Sequence, residues 1–187
     1  MLPEQWFFWE NFFTKKEIRE LNAIRDEFGR IEPEHIEAHD EDGKSLKNVS
    51  KVKHVLYEHL AEKLQKLDTE VRRINRLNYG YHLDEPLGDC SACFNDYEKG
   101  DDYAWHQDGS NDVRYDLKLT VLINASLEDY EGGELQIFQA GGPRTITDFS
   151  ESGNVVVFKS DIPHRCTGVT KGKRSSIAFW KSGPRFV

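Results

Sequence analysis

Apolar and polar positions along this chain change period once, near residue 77. Before that point the spacing is helical. Thr14-Lys-Lys-Glu17 reads as a capping box, Ile18, Leu21, Ile24 and Phe28 follow three or four residues apart, and Gly29 closes the element. Val52, Val55, Leu56, Leu60, Leu64, Leu67 and Val71 form a longer stripe that predicts a second amphipathic helix, with His54 and His59 on it as surface or core-edge residues. Between the two, residues 30–50 are polar and carry Pro33, Gly43 and Asn48, which predicts a loop. The opening stretch Met1–Phe13 is aromatic but contains Glu4 and Glu10, and reads as an edge strand or anchor.

After residue 77 short extended runs take over: 77–83, 91–98, 103–107, 116–124, 134–138, 145–148, 155–159, 164–169 and 175–181. Glycine-bearing turns separate them, among them Glu131-Gly-Gly133, Ala140-Gly-Gly-Pro143 and Lys171-Gly172. Many short strands at this pitch suit a sandwich or barrel, and eight suit a jelly roll. The fold expectation is one α+β, mainly β domain over 1–187, with helical support in 1–76 and a jelly-roll core in 77–187. Within 116–124, Leu117, Leu119, Val121 and Ile123 share one face and Lys118, Thr120 and Leu122 the other, so that one face can meet the helices and the other look into the sandwich.

Composition narrows the class without deciding the function. At 187 residues and 37% hydrophobic the chain supports a full core, and no apolar run approaches membrane length. A net charge of −8 argues against nucleic acid as the main partner. The N-terminus lacks the basic region of a secretory leader, so the expected setting is the cytoplasm, or the host cytoplasm if the chain is phage-encoded. Cys90, Cys93 and Cys166 make no disulfide framework; Cys90-Ser-Ala-Cys93 has metal-site spacing but no second half, which favours reduced cysteines on a strand. Cys166 would share the face of His164 two residues earlier.

The chemistry concentrates in His106-Gln-Asp108 and in His164, 56 positions after the aspartate. Two imidazoles and one carboxylate on one side of an octahedral ion leave the other positions open, the ligand set of non-haem Fe(II) oxygenases. Arg174, Ser176, Ala178 and Trp180 fall on one face of the last strand, and Arg174 is expected on the strand next to His164. A buried arginine needs an anionic partner; no acid in the adjoining strands claims it, so a bound dicarboxylate is the natural candidate. Two other classes use similar ligands: a non-catalytic cupin-like metal or small-ligand binding module, for which Arg174 would be superfluous, and a zinc hydrolase, which needs a general base that neither ligand strand supplies.

Taken together, Tyr97…Tyr103-Ala-Trp-His106-Gln-Asp108, Leu119-Thr-Val-Leu-Ile-Asn124, Asp129-Tyr-Glu-Gly-Gly-Glu-Leu135 and His164-Arg-Cys-Thr-Gly-Val-Thr-Lys-Gly-Lys-Arg174…Phe179-Trp180 resemble the Fe(II)- and 2-oxoglutarate-dependent dioxygenases. The likeness is greatest to the prolyl 4-hydroxylase group, in particular bacterial and phage PKHD-type hydroxylases, and covers residues 77–183. It implies a double-stranded β-helix, with His106, Asp108 and His164 as metal ligands and catalytic centre. Arg174 would hold the distal carboxylate of 2-oxoglutarate, with Tyr97, Thr120, Ser176 and Trp180 lining the cosubstrate pocket. Tyr103, Trp105 and Arg114 are substrate-side candidates. Where many prolyl hydroxylases place a tyrosine in the central strand, this chain has Leu122. The resemblance further implies Fe(II), 2-oxoglutarate and O2, with ascorbate as accessory, and release of succinate and CO2. The expected substrate is a prolyl residue in a peptide or protein, with a free amino acid or other small metabolite as the alternative.

Overall fold

The computed structural model describes residues 6–31, the backbone of 47–48, and residues 51–84, 90–109 and 114–185. The strands are β1 (Trp6–Trp9), β2 (Lys47–Asn48), β3 (Lys51–Leu56), β4 (Ser91–Tyr97), β5 (Asp102–His106), β6 (Tyr115–Asn124) and β7 (Glu131–Gly132). They continue with β8 (Leu135–Gln139), β9 (Gly142–Thr145), β10 (Val155–Lys159), β11 (His164–Cys166), β12 (Val169–Lys171) and β13 (Arg174–Pro184). The helices are α1 (Lys15–Phe28) and α2 (Tyr57–Ile74).

A six-stranded sheet, ordered β1-β10-β6-β13-β4-β3, faces a five-stranded sheet, ordered β2-β5-β11-β8-β9. The chain crosses between them repeatedly, with β3–β4 and β8–β9 as same-sheet neighbours and β7–β12 as a separate pair, and every strand pair is antiparallel. This is the mainly β, double-stranded β-helix architecture that the strand pattern anticipates, with the aromatic β1 as one edge.

Two apolar layers hold it together. On the outer face of the large sheet, Leu119, Val121, Ile123, Ile177 and Phe179 pack with Ile18 and Leu21 of α1 and Leu60, Leu64, Leu67 and Val71 of α2. Fully burying side chains of this size is worth about 1.5–3 kcal/mol each, so this layer fixes the sheet on which the inner face is built. Between the sheets, Leu122, Val156, Phe158, Ile137, Ile146 and Ala178 make the second layer. The two faces of β6 divide as the alternation predicts. The N-terminus of α1 carries the expected capping box: Thr14 Oγ1 accepts from the Glu17 amide at 3.2 Å, and Glu17 Oε2 accepts from the Thr14 amide at 2.7 Å.

Several boundaries differ from the sequence reading. Val52 and Val55 belong to β3, not to the second helix, which begins at Tyr57. As a strand the segment buries Val55 toward the helices and turns Val52 between the sheets, and the edge of β4 offers it backbone hydrogen bonds that a longer helix would leave unused. His54 is thus a strand residue. The run 77–83 does not extend: residues Asn75–Tyr79 form a π-helical turn closed by Gly80, whose φ of 72° is left-handed. Thr145 ends β9, and Thr147–Phe149 is a 3-10 turn. Of the loop expected at 30–50, Lys47–Asn48 pairs with β5 and Arg30 bridges His54, while 32–46 and 49–50 lie outside the described residues. No helix among the described residues is long and apolar enough to cross a membrane.

Candidate functional site

The two histidines are brought together by strand pairing. His164 on β11 lies directly opposite His106 on β5, and Asp108 follows two residues beyond the end of β5. Their ligand atoms all lie within 4.8 Å of one another. His106 Nε2 is 3.7 Å from Asp108 Oδ1, and His164 Nε2 is 3.6 Å from Asp108 Oδ2.

The other ring nitrogens are already committed. His106 Nδ1 lies 2.8 Å from the Ala104 carbonyl and His164 Nδ1 lies 2.9 Å from the Ile162 carbonyl. A carbonyl only accepts, so each Nδ1 carries the proton and each Nε2 presents a lone pair inward. Tyr103 stacks flat on His106 at 3.6 Å and Phe158 meets His164 edge-on at 4.8 Å, which fixes the ring planes. Two neutral imidazoles and a carboxylate converging in this way fit a divalent transition-metal ion.

Asp108 is held from the opposite sheet. Thr120 Oγ1 donates to its Oδ2 at 2.6 Å, and Trp180 Nε1 donates to the same oxygen at 2.9 Å. Thr120 and Trp180 were expected to line the cosubstrate pocket; their polar atoms are instead spent on the aspartate. The reason is register: Trp180 pairs directly with Thr120 across β13 and β6, so both side chains emerge together opposite Asp108.

Arg174 begins β13, whose neighbours are β4 and β6. The expectation that it adjoins the His164 strand is therefore corrected. In a jelly roll, successive strands alternate between sheets, so Arg174 reaches the interior from the sheet facing β11. Its side chain is 2% exposed. Nη1 donates to Ser176 Oγ at 3.1 Å, as Ser176's place on the same face suggested, and Nε has no hydrogen-bond partner. The guanidinium lies 4.9 Å from the ring centroid of Tyr97 and 5.6 Å from that of Phe149. No carboxylate among the described residues pairs with it. Asp96, one residue from Tyr97, points to the other face, where it pairs with Arg25 at 3.2 Å and Lys173 at 2.9 Å and accepts from Ser175. A buried, permanently charged fork with an unused donor fits a carboxylate-bearing ligand.

Burial pushes the Tyr97 phenol well above its ordinary value, so it remains a neutral hydroxyl. Burial also raises the Cys166 thiol, with Arg174 pulling in the opposite direction, and keeps it from acting as a thiolate near neutral pH. All three cysteines are free.

The remaining expectations separate. Trp105 does not face the triad: its ring meets Phe138 at 5.9 Å and the Arg165 guanidinium at 4.9 Å, on the outer face of the small sheet. Alternation from the inward His106 leaves Trp105 outside, and a register shift in the β5–β11 pairing, where Cys166 opposes Tyr103, turns Tyr103 inward. Arg114 is exposed just before β6, and residues 110–113 beside it lie outside the described residues. Leu122 does occupy the inner face of β6, at 9% exposure.

Two participants were missed. Gly133 has φ of 63°, and a Cβ there would stand 2.7 Å from Arg174 Cδ, so the turn leaves the space that the arginine stem fills. Tyr130 packs beside it; its hydroxyl accepts from Asn124 Nδ2 at 2.9 Å and donates to the Ser150 carbonyl at 3.2 Å. The signal was present in Tyr-Glu-Gly-Gly, where adjacent glycines mark a close backbone approach.

Residues 92–182 match the model of the 2OG-Fe(II) oxygenase superfamily. That match takes in His106, Asp108, His164 and Arg174. A PKHD-type hydroxylase of Alteromonas mediterranea is 32% identical over 96 residues, which are 47% of this chain and 41% of the relative. The chain thus spans about two-fifths of the length of that curated relative. A Pseudomonas putida prolyl-4-hydroxylase shares the fold at a TM-score of 0.65 and 21% identity, over 98% of this chain and 94% of that one. A Trichoplax adhaerens prolyl hydroxylase in complex with a hypoxia inducible factor peptide fragment does so at 0.64 and 16%, over 95% and 83%.

Proposed function

We propose that this protein is a 2-oxoglutarate-dependent dioxygenase that hydroxylates a prolyl residue in a peptide or protein. The observation that carries the reaction class is the pairing of an inward-facing His106–Asp108–His164 triad with a buried Arg174 that has no carboxylate partner among the described residues. The relatives and structural neighbours named above support the prolyl substrate, one of them through its bound peptide.

Each residue then has a definite task. His106, Asp108 and His164 would hold Fe(II), each imidazole presenting Nε2 because the carbonyl behind it takes Nδ1 as the donor. Arg174 would take the far carboxylate of 2-oxoglutarate, with the Ser176 hydroxyl steadying the guanidinium and Tyr97 covering its face. Leu122, Ala178 and Phe158 supply an apolar floor that excludes water, which strengthens the charge pairing at Arg174. Tyr103 keeps the His106 ring in plane. Bound together, Fe(II) and 2-oxoglutarate activate O2 for C–H hydroxylation, with succinate and CO2 as coproducts. Ascorbate as accessory and a cytoplasmic setting belong to the same reading, the latter supported by three free cysteines.

The test is incubation with Fe(II), 2-oxoglutarate and a set of proline-containing peptides, read by mass spectrometry. A +16 Da product located on proline, with stoichiometric succinate, is the expected result. Succinate formation without peptide oxidation across the whole set would refute the prolyl substrate and point to a small metabolite. Absence of any succinate would refute the reaction class.

A further inference from the structure

We propose that Thr120 and Trp180 are positioning residues that occupy one oxygen of Asp108, so that the carboxylate offers only its other oxygen to the metal. The inference rests on the reading that the triad holds an ion, and concerns how many places on that ion remain open.

A carboxylate oxygen has two in-plane lone pairs. Asp108 Oδ2 receives a short hydrogen bond from Thr120 at 2.6 Å and another from Trp180 at 2.9 Å. Both lone pairs are therefore used. Oδ1 receives no hydrogen bond among the described residues. The Thr120 hydroxyl has a single proton, and the charged oxygen claims it; Ser160 Oγ, 3.0 Å away, must then act as donor to Thr120. The Asp108 amide in turn donates to the Ser160 carbonyl at 3.0 Å. The aspartate sits beyond the end of β5, where strand pairing no longer fixes it. Its orientation comes from two adjacent, mutually paired strands of the facing sheet.

The consequence is one of counting. An octahedral ion has six positions, and three protein atoms leave three: two for a chelating cosubstrate and one for O2. A carboxylate that turned to bind through both oxygens would take one of these. Saturating Oδ2 opposes that turn, and a simple packing role for Thr120 or Trp180 would not.

The test uses Co(II) as the probe, with binding measured by calorimetry and the coordination number read from its d–d absorption. Thr120→Val keeps the side-chain shape and removes the donor; Trp180→Phe removes the other. Each is expected to weaken Co(II) binding about ten- to a hundredfold, with Thr120→Ser close to wild type. The double variant is expected to show an altered d–d band as the freed carboxylate binds through both oxygens. Should Thr120→Val fail to fold, Trp180→Phe carries the same comparison. Wild-type affinity and an unchanged spectrum in Thr120→Val and Trp180→Phe would overturn the proposal. Wild-type protein that takes up no Co(II) would remove the metal centre itself, a different result from a metal centre indifferent to its supports.

Discussion

Replacing Arg174 by methionine separates what the arginine does for the ligand from what it does to the fold. The side chain is 2% exposed and donates to Ser176 Oγ and to the Tyr130 hydroxyl, with Nε unsatisfied. A dicarboxylate bound at this fork would gain two charge-assisted hydrogen bonds, each worth about 1.5–3 kcal/mol. Their loss predicts 2-oxoglutarate binding weaker by roughly a hundred- to ten-thousandfold. Methionine is of similar length and carries no charge, so the ligand-free fold should be unharmed or more stable, since an uncompensated buried charge costs several kcal/mol. The assay is thermal unfolding of Mn(II)-loaded protein with and without 2-oxoglutarate. At a hundred times the dissociation constant, the ligand stabilises wild type by about 2.7 kcal/mol, or roughly 5–11 °C for a domain of this size. Arg174→Met should lose that shift while its ligand-free midpoint stays level or rises. A variant that keeps the shift refutes the carboxylate assignment. A ligand-free midpoint that falls by more than about 8 °C, beyond 2 kcal/mol for this size of chain, would mean that the guanidinium has a countercharge within the fold.

Three further outcomes follow from other parts of the structure. Gly133→Ala places a methyl 2.7 Å from Arg174 Cδ at a left-handed position; overpacking of about 1–3 kcal/mol should lower the midpoint in thermal unfolding and weaken 2-oxoglutarate binding together. Burial alone would raise the Asp68 carboxyl, but Lys181 and Arg72 outweigh it and hold it below its usual 3.8. Its contribution is therefore complete above that pH and lost as pH falls through the lower folded value, so chemical denaturation should show the gap between wild type and Asp68→Asn narrowing below pH 3.8. Thr14→Ala removes the capping box and should cost about 0.5–2 kcal/mol in the same measurement, without changing metal affinity.

The elements most legible in the sequence were those whose local pattern and tertiary setting agree. The α1 cap, β10 and the two faces of β6 followed from spacing, whereas the grouping of His106, Asp108 and His164, which the structure brings together, rested on the surrounding motifs and the family resemblance as well. Lys51–Leu56 was misread because Val52, Val55 and Leu56 fit the helical spacing, whereas as a strand they divide between its two faces; only the neighbouring β4 edge decides for the strand. The position of Arg174 was right in face and wrong in neighbour: alternation along one strand is local, whereas the order of strands across two sheets is not. Thr120 and Trp180 were recognised as inward residues, but their partner Asp108 lies on the opposite sheet, a distance no spacing rule spans. Trp105 lies outside, as period-two alternation from the inward His106 requires; it is Tyr103, stacked on His106 across a register shift in the β5–β11 pairing, that a regular period-two reading cannot contain. Tyr130 and Gly133 looked like turn residues because they are; their proximity to Arg174 arises only when β13 packs beside that turn.

The most direct measurement of the central claim is an anaerobic titration of the Fe(II)-loaded protein with 2-oxoglutarate, followed by visible absorption. Wild type should develop the weak metal-to-ligand charge-transfer band of a chelated 2-oxo acid, and His106→Ala should not. A wild-type protein that binds both Fe(II) and 2-oxoglutarate yet shows no such band would contradict the account, because the two would then occupy separate sites.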